Sequence, residues 1–266
     1  MDVVFRGTRG SYPLHAPGFT SLGGNTSCVE LHQADSGKLL LDAGSGLLHV
    51  TPTPHTDVIF LSHLHVDHIV GLPHFIGKKK SIGGELVLAS GVFSSAGEFK
   101  EAIDKFYGGR YFPIQMQDIL PMLKFECIGN KLTTISDWEI ERVQLNHPGG
   151  CFGGKFRHTH SVRSIVYASD HEHGTKQHNN LTDFSQGADL LIYDSSYSEE
   201  NYPKYIGWGH STWQCGVDTA NQANVKRVAI THHDVDRSDA EAQAIAGQLT
   251  GSPAFIARDH LHIAIE

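Results

Sequence analysis

Short apolar runs alternating with polar positions dominate the chain. They predict strands over residues 3–5, 27–32, 38–41, 57–61, 85–89, 124–128, 138–145, 164–168, 189–193, 226–231 and 260–265. A period near 3.6 is rarer. It predicts helices over residues 68–76, 95–107, 212–224 and 239–249, the last with Ser238 as N-cap. This mixture suggests two sheets packed together with helices outside. Residues 18–25 and 148–154 read as Gly-rich loops, neither long nor biased enough to be a linker. With no short-period repeat and no low-complexity tract, residues 1–266 are expected to form a single domain.

Composition narrows the classes. The 266 residues, 39% hydrophobic and 19% charged, can bury a sizeable core. Lys and Arg number 21 against 29 Asp and Glu, a net charge of -8 with no long single-sign block, which disfavours nucleic-acid binding by bulk charge. Cys28, Cys127, Cys151 and Cys215 stand far apart with no CxxC pair. That spacing excludes thiolate zinc modules, gives no disulfide framework and points to a reducing compartment. The start, Met1-Asp2-Val3-Val4-Phe5-Arg6-Gly7, lacks the basic opening and apolar stretch of a signal peptide. Apolar windows such as 58–61 and 190–193 are far short of the roughly 20 residues that span a bilayer. The expectation is a cytoplasmic protein with no membrane partner. Histidine is the outlier, 19 residues against 13 Phe and 8 Tyr, and it is the commonest metal ligand.

The densest candidate is Ser62-His63-Leu64-His65-Val66-Asp67-His68, directly after the apolar run 57–61. Extended side chains alternate, so His63 and His65 project the same way, while Asp67 and His68 fall on the turn that opens the next helix. Four ligand-type side chains converge within six residues. Imidazole and carboxylate suit zinc, manganese or iron, and so tight a run can serve two metals because successive residues reach different sides of the turn. A His-rich surface turn is the plain alternative; an apolar strand leading straight into regularly spaced ligands speaks against it.

His63-x-His65-x-Asp67-His68 resembles the signature of the metallo-β-lactamase superfamily of binuclear metal hydrolases, and the resemblance extends along nearly the whole chain. It implies an α/β fold, a four-layer αββα sandwich of two mixed β-sheets with helices on the outer faces. It also implies three further ligands at strand ends, matched here by His147 in Asn146-His147-Pro148, Asp170 in Ala168-Ser169-Asp170 and His232 in Thr231-His232-His233. By that similarity His63, His65 and His147 hold a first metal, Asp67, His68 and His232 a second, and Asp170 bridges. The implied cofactor is two divalent ions, zinc first, with manganese or iron(II) accepted by the same ligands. As a strand, Val228, Ile230 and His232 share what reads as the apolar inward face, whereas His233 follows Ala229 and Thr231, which favours His232 over His233. Asp42 follows the run 38–41, where this superfamily carries an acid behind the ligands; a turn-forming Asp is the equal alternative.

Trp208-Gly209-His210-Ser211-Thr212 narrows the resemblance to the phosphodiesterase branch. That branch includes the transfer-RNA 3′-processing endonuclease, the phosphoribosyl cyclic phosphodiesterase and cyclic-nucleotide phosphodiesterases. In the endonuclease branch the His of this motif lies beside the metals and helps protonate the leaving oxygen; His210 matches it. An acid at a preceding strand end orients that His, and Asp194 occupies the corresponding place. The resemblance therefore implies Asp67, His210 and Asp194 as catalytic residues. Two metals would supply the nucleophile and neutralise phosphoryl charge, and a general acid is worth typically about 10²–10⁴-fold.

Substrate size follows from spacing. The endonuclease it resembles grips RNA with a long arm between its middle His and Asp ligands, whereas Pro148 to Ser169 here are only 22 residues. With the acidic net charge, this sets the expectation of a small phosphodiester, a cyclic nucleotide or cyclic ribose phosphate, and of no large nucleic-acid partner. A homodimer is implied by analogy alone. The alternatives are an RNA 3′-processing nuclease and a thioester or lactone hydrolase, the latter needing no proton donor at His210. Redox diiron proteins of this fold carry Glu where this chain has His65, and a non-catalytic sensor would be expected to have lost ligands. Phe152, Tyr197, Tyr202 and Trp208 are candidates to stack on a base, with core packing the commoner fate. Lys78-Lys79-Lys80 reads as a solvated turn. His158, His160, His171 and His173 read as exposed polar residues without further ligand sources.

Overall fold

Every residue of Asp57–Leu61 (β4) and of Leu190–Asp194 (β11) is buried, the mark of strands covered on both faces. In the computed structural model, which describes residues 1–108 and 122–266, these strands lie inside two seven-stranded sheets. The first runs in the order His262–Ala264 (β14), Asp2–Gly7 (β1), Cys28–His32 (β2), Leu39–Leu41 (β3), β4, Leu86–Ser90 (β5) and Leu123–Cys127 (β6). The second runs Ala254–Ile256 (β13), Val228–Thr231 (β12), β11, Ile165–Ala168 (β10), Cys151–His158 (β9), Trp138–Leu145 (β8) and Thr133–Ile135 (β7). Both are mixed, parallel from β3 to β6 and from β10 to β13 and antiparallel elsewhere.

The two-residue period of each strand divides its side chains between two layers of core. Val58 and Phe60 of β4 meet Phe156, Tyr167 and Ile192 between the sheets. Ile59 and Leu61 turn outward, onto Val66–Ile69 (α1), Leu72–Ile82 (α2) and Ala96–Tyr107 (α3). In the second sheet Leu191, Tyr193, Val228 and Ile230 pack under Lys176–Phe184 (α4), Trp213–Gln222 (α5) and Asp239–Gln248 (α6). The result is the four-layer αββα order expected. Caps close the outer helices: Ser95 accepts from Glu98 N, Thr212 from Cys215 N, and Ser238 with Glu241 forms a capping box.

Several expectations shift. The helix read at 68–76 is two helices, broken near Gly71, where a Cβ would run into the Gly44 carbonyl. What read as a loop at 148–154 leads into β9, whose Gly153 and Gly154 lack side chains because Tyr167 O and the Phe156 ring occupy that space. Helix α4 buries only Leu181, so it leaves no apolar period to read. Lys79 is no solvated turn residue: it is fully buried in α2, donating to Asp57 at 2.9 Å and to the carbonyls of Thr53 and His55. No helix among the described residues is long and apolar enough to cross a membrane.

Candidate metal centre

The parallel strands of each sheet end on one side, and there the backbone leaves its extended path. Asp42 after β3, Asp170 after β10 and His232 after β12 adopt φ of 60°, 58° and 53°, a left-handed conformation that Asp and His tolerate better than most residues. Each such turn costs of order 1–3 kcal/mol unless its surroundings hold it. Hydrogen bonds hold Asp42, which accepts from Ser62 N and Oγ at 2.8 Å each and from Tyr167 OH at 2.7 Å.

Three overlapping sets of donor atoms gather over this edge among the described residues, each set lying within 4.8 Å: His63, His65, His147 and Asp170; Asp67, His68 and His232; and Asp170, His210 and His232. Asp170 faces the first two. Its Oδ2 is 3.6 Å from Nε2 of His63 and of His147, and its Oδ1 is 3.1 Å from Nε2 of His68 and of His232. Burial opposes charge on Asp170, but His232, His68 and His63 more than reverse that and hold its carboxyl well below the usual range. Asp67 is held low in the same way by His68 and His232, and it accepts from Ser11 N at 2.9 Å.

The far ring nitrogens are tied down, which decides where the near ones point. His68 Nδ1 meets Asp42 at 2.7 Å, His147 Nδ1 donates to Gly209 O at 2.9 Å, and His232 Nδ1 lies 3.1 Å from Ser196 Oγ. His63 Nδ1 contacts Ser62 Oγ at 3.0 Å, with the Cys151 thiol behind it at 3.7 Å. What remains is unsatisfied: Nε2 of His63, His68 and His232 is buried without a hydrogen-bond partner, and His147 Nε2 faces His65 Nδ1 at 3.1 Å. Buried polar atoms rarely stay unpaired. Three orphaned imidazole nitrogens converging on two ionised carboxylates, each with its far nitrogen held by a carboxylate, carbonyl or hydroxyl, fit divalent cations. Burial also holds His63 and His147 below the ordinary imidazole pKa, leaving their lone pairs free.

His210 stands beside this cluster. Its ring lies 4.9 Å from that of His232 at 18°, and its Nδ1 meets Asp194 Oδ2 at 2.7 Å. Burial disfavours charge on His210, but Asp194 outweighs it and raises the imidazole pKa to about 9. Asp194 is fully buried and also accepts from His171 N, Ser196 N and Ser196 Oγ.

The structure brings together every residue expected at the site: His63, His65, Asp67, His68, His147, Asp170, His232, His210 and Asp194. The faces of β12 are the reverse of those expected for His232. Val228 and Ile230 face the outer helices, and Ala229 is the residue between the sheets, so His232 reaches the centre through its left-handed turn. His233 is excluded by its own bonds, Nε2 to Ala257 O at 2.8 Å and Nδ1 to Arg237 at 3.0 Å. Asp42 proves to sit behind His68. His158 and His171 are buried, not exposed: His158 packs against Trp138, and His171 Nε2 meets His178 Nδ1 at 3.2 Å. Gly10, Ser11 and Ser196 also line the site, with no signal in the local sequence. A Cβ on Gly10 would run into the His232 imidazole; no local pattern could announce contacts between residues so far apart in sequence.

Comparison with known proteins agrees with this geometry. Residues 38–233 match the β-lactamase superfamily domain. Ribonuclease Z of Bacillus subtilis is 23% identical, the match covering 87% of this chain and 88% of that one. The metallo-β-lactamase fold protein YhfI of Bacillus subtilis superposes with a TM-score of 0.74 at 18% identity, covering 98% of each chain. A diphosphatase of the PhnP family gives 0.73 at 16% identity, covering 99% of this chain and 97% of that one. The ribonuclease relative overturns the expectation that large nucleic acid is no partner. That expectation leaned on net charge, which averages the whole surface and says nothing of a local site where cations themselves would meet phosphate.

Proposed function

The chain belongs to the β-lactamase superfamily and is a hydrolase of that family, and from this premise we propose that it cleaves phosphodiester bonds with two divalent cations, zinc first, and His210 as proton donor. The observation that carries the reading is His210 beside the ligand cluster with Nδ1 engaged by a buried carboxylate. An alkoxide leaving group needs a proton, whereas a thioester or lactone substrate needs no donor placed there.

In this reading His63, His65 and His147 would hold one cation and Asp67, His68 and His232 the other, with Asp170 facing both sets. Bound there, divalent cations neutralise phosphoryl charge and bring the pKa of water to about 7. The chain's own groups do the rest. Asp194 keeps the His210 Nδ1 proton in place, so that the proton on Nε2 is the one offered to the leaving oxygen. Asp42, Ser196 and the Gly209 carbonyl fix the tautomers of His68, His232 and His147, directing each Nε2 inward.

Two phosphodiester substrates have support. The ribonuclease Z relative supports RNA. A cyclic nucleotide or cyclic ribose phosphate is supported by the 22 residues between His147 and Asp170, more than half of which form β9 and β10. The test is a panel on metal-replete protein: a precursor transfer RNA with a 3′ trailer, 2′,3′- and 3′,5′-cyclic nucleotides, a cyclic ribose phosphate, bis-p-nitrophenyl phosphate, a lactone and a thioester. Turnover of the last two with none of any phosphodiester would refute the proposal.

A further inference from the structure

Glu172 is a buried carboxylate two residues beyond Asp170 and lies outside the donor sets found among the described residues. Its backbone is locked to the segment carrying His147: Glu172 N donates to Asn146 O at 2.9 Å, and Asn146 Nδ2 donates to Glu172 O at 3.1 Å. Its carboxylate is wrapped by residues 202–209. Oε1 accepts from Tyr202 OH at 2.9 Å and Gly207 N at 2.8 Å, and Oε2 accepts from Gly209 N at 2.9 Å. Gly207 and Gly209 have φ of 89° and 86°, so the strap adopts a path that ordinary side chains resist.

The strap ends at the site. Gly209 O receives the Nδ1 proton of His147, and the next residue is His210. A Cβ on Gly209 would run into His147 and Pro148, so the two segments meet without slack. One carboxylate thus ties the Asp170 turn, the His147 turn and the His210 strap into a single unit. We propose that Glu172 is a positioning residue that seats the 202–209 strap and through Gly209 sets both the tautomer of His147 and the placement of His210. Charge-assisted bonds to backbone N–H groups are the strong kind, and three on one carboxylate give the strap a fixed seat. The kinetic part of this inference rests on the proposed donor role of His210; the placement of the strap does not.

The experiment therefore has two arms, on E172A and on the volume-preserving E172Q. First, metal-free protein is digested with limiting trypsin. Lys204 is exposed within the strap, and cleavage after it should accelerate about tenfold in E172A, and less in E172Q, while other sites keep their wild-type rates. Second, metal-replete protein is assayed on an alkyl and a p-nitrophenyl phosphodiester. The alkyl ester should lose about tenfold more in kcat than the p-nitrophenyl ester, whose leaving group departs without a proton, and chelator competition should show metal held about 10-fold more weakly. Unchanged cleavage after Lys204, or acceleration at all sites alike, overturns the seat. Faster strap cleavage with equal losses on both esters overturns only the link to His210. Absence of any phosphodiesterase activity in wild type refutes the function while the proteolysis still decides the seat.

Discussion

His210 Nδ1 and Asp194 Oδ2 lie 2.7 Å apart in a pair whose carboxylate is fully buried and whose imidazole lies nearly parallel to His232. The pair fixes which ring nitrogen is free to act, and it belongs to the second sheet alone: Asp194 ends β11 and His210 precedes the cap of α5. The ligands come from both sheets. Chemistry at the donor can therefore be separated from metal holding by substitution.

H210A should retain its metal and lose about 10²–10⁴-fold in kcat on esters with alkoxide leaving groups. Metal content by atomic emission and kcat on a nucleotide substrate check this together, and an unchanged turnover number removes His210 from the mechanism. D194N should lose activity and stability alike. It strips charge from a carboxylate that also satisfies His171 N and Ser196, and breaking a buried pair costs about 3–5 kcal/mol.

Chelation should destabilise the wild-type fold. The unpaired Nε2 atoms of His63, His68 and His232 and the carboxylates of Asp67 and Asp170 are held close together by the fold, so a cation binds the native state far better than the unfolded chain. One cation at a thousandfold its Kd adds about 4 kcal/mol. Thermal unfolding with and without a chelator should show a fall in Tm that zinc or manganese reverses. H63A and H68A should each lose part of the bound metal, and full metal content in either variant would contradict the assignment.

Legibility tracked contiguity. The run from His63 to His68 carries its spacing in one short segment, so its convergence is legible directly, whereas His147, Asp170 and His232 are legible only through the family resemblance, which places further ligands at strand ends. Glu172, Ser196 and Gly10 could not be read that way, because their meaning lies in partners such as Gly209, Asp194 and His232 that only the tertiary fold supplies. Lys79 shows the opposite error. Three consecutive lysines look solvated by composition, yet helical geometry points Lys79 inward between its neighbours. Left-handed residues at strand ends also defeat alternation, so His232 reaches the donor cluster although the alternation of its strand points the other way.

His158 should make stability depend on pH away from the metal site. Burial against Trp138 lowers its pKa, with His160 and the chain's amino terminus adding to the effect and Asp137 opposing it. A base whose folded pKa lies below its unfolded value contributes stability that is fully present above about 6.5 and is lost as pH falls from there toward the folded value. H158F removes this titration. Urea unfolding at pH 7.5, 6.5 and 5.5 should show the variant gaining on wild type as the solution is acidified, and a constant difference across that range would exclude His158 as the cause.

Lys79 and Asp57 test the fold independently of its chemistry. The ammonium is fully buried and donates to Asp57 Oδ2 at 2.9 Å and to the carbonyls of Thr53 and His55 at 2.8 and 2.6 Å, so helix α2 is pinned to the loop before β4. Asp57 in turn accepts from Lys38 N and from Thr53 N and Oγ1. K79A leaves a buried carboxylate without its cation and two carbonyls without a donor, a loss of about 3–5 kcal/mol. K80A, on an exposed lysine of the same run, should fall within about 0.5 kcal/mol of wild type. Because Lys79 anchors Asp57 at the opposite end of β4 from His63, K79A should reduce the folded fraction while leaving kcat per folded molecule unchanged. Equal urea midpoints for K79A and K80A would mean the buried pair contributes nothing net. A kcat that falls with K79A at full folding would place α2 in the chemistry.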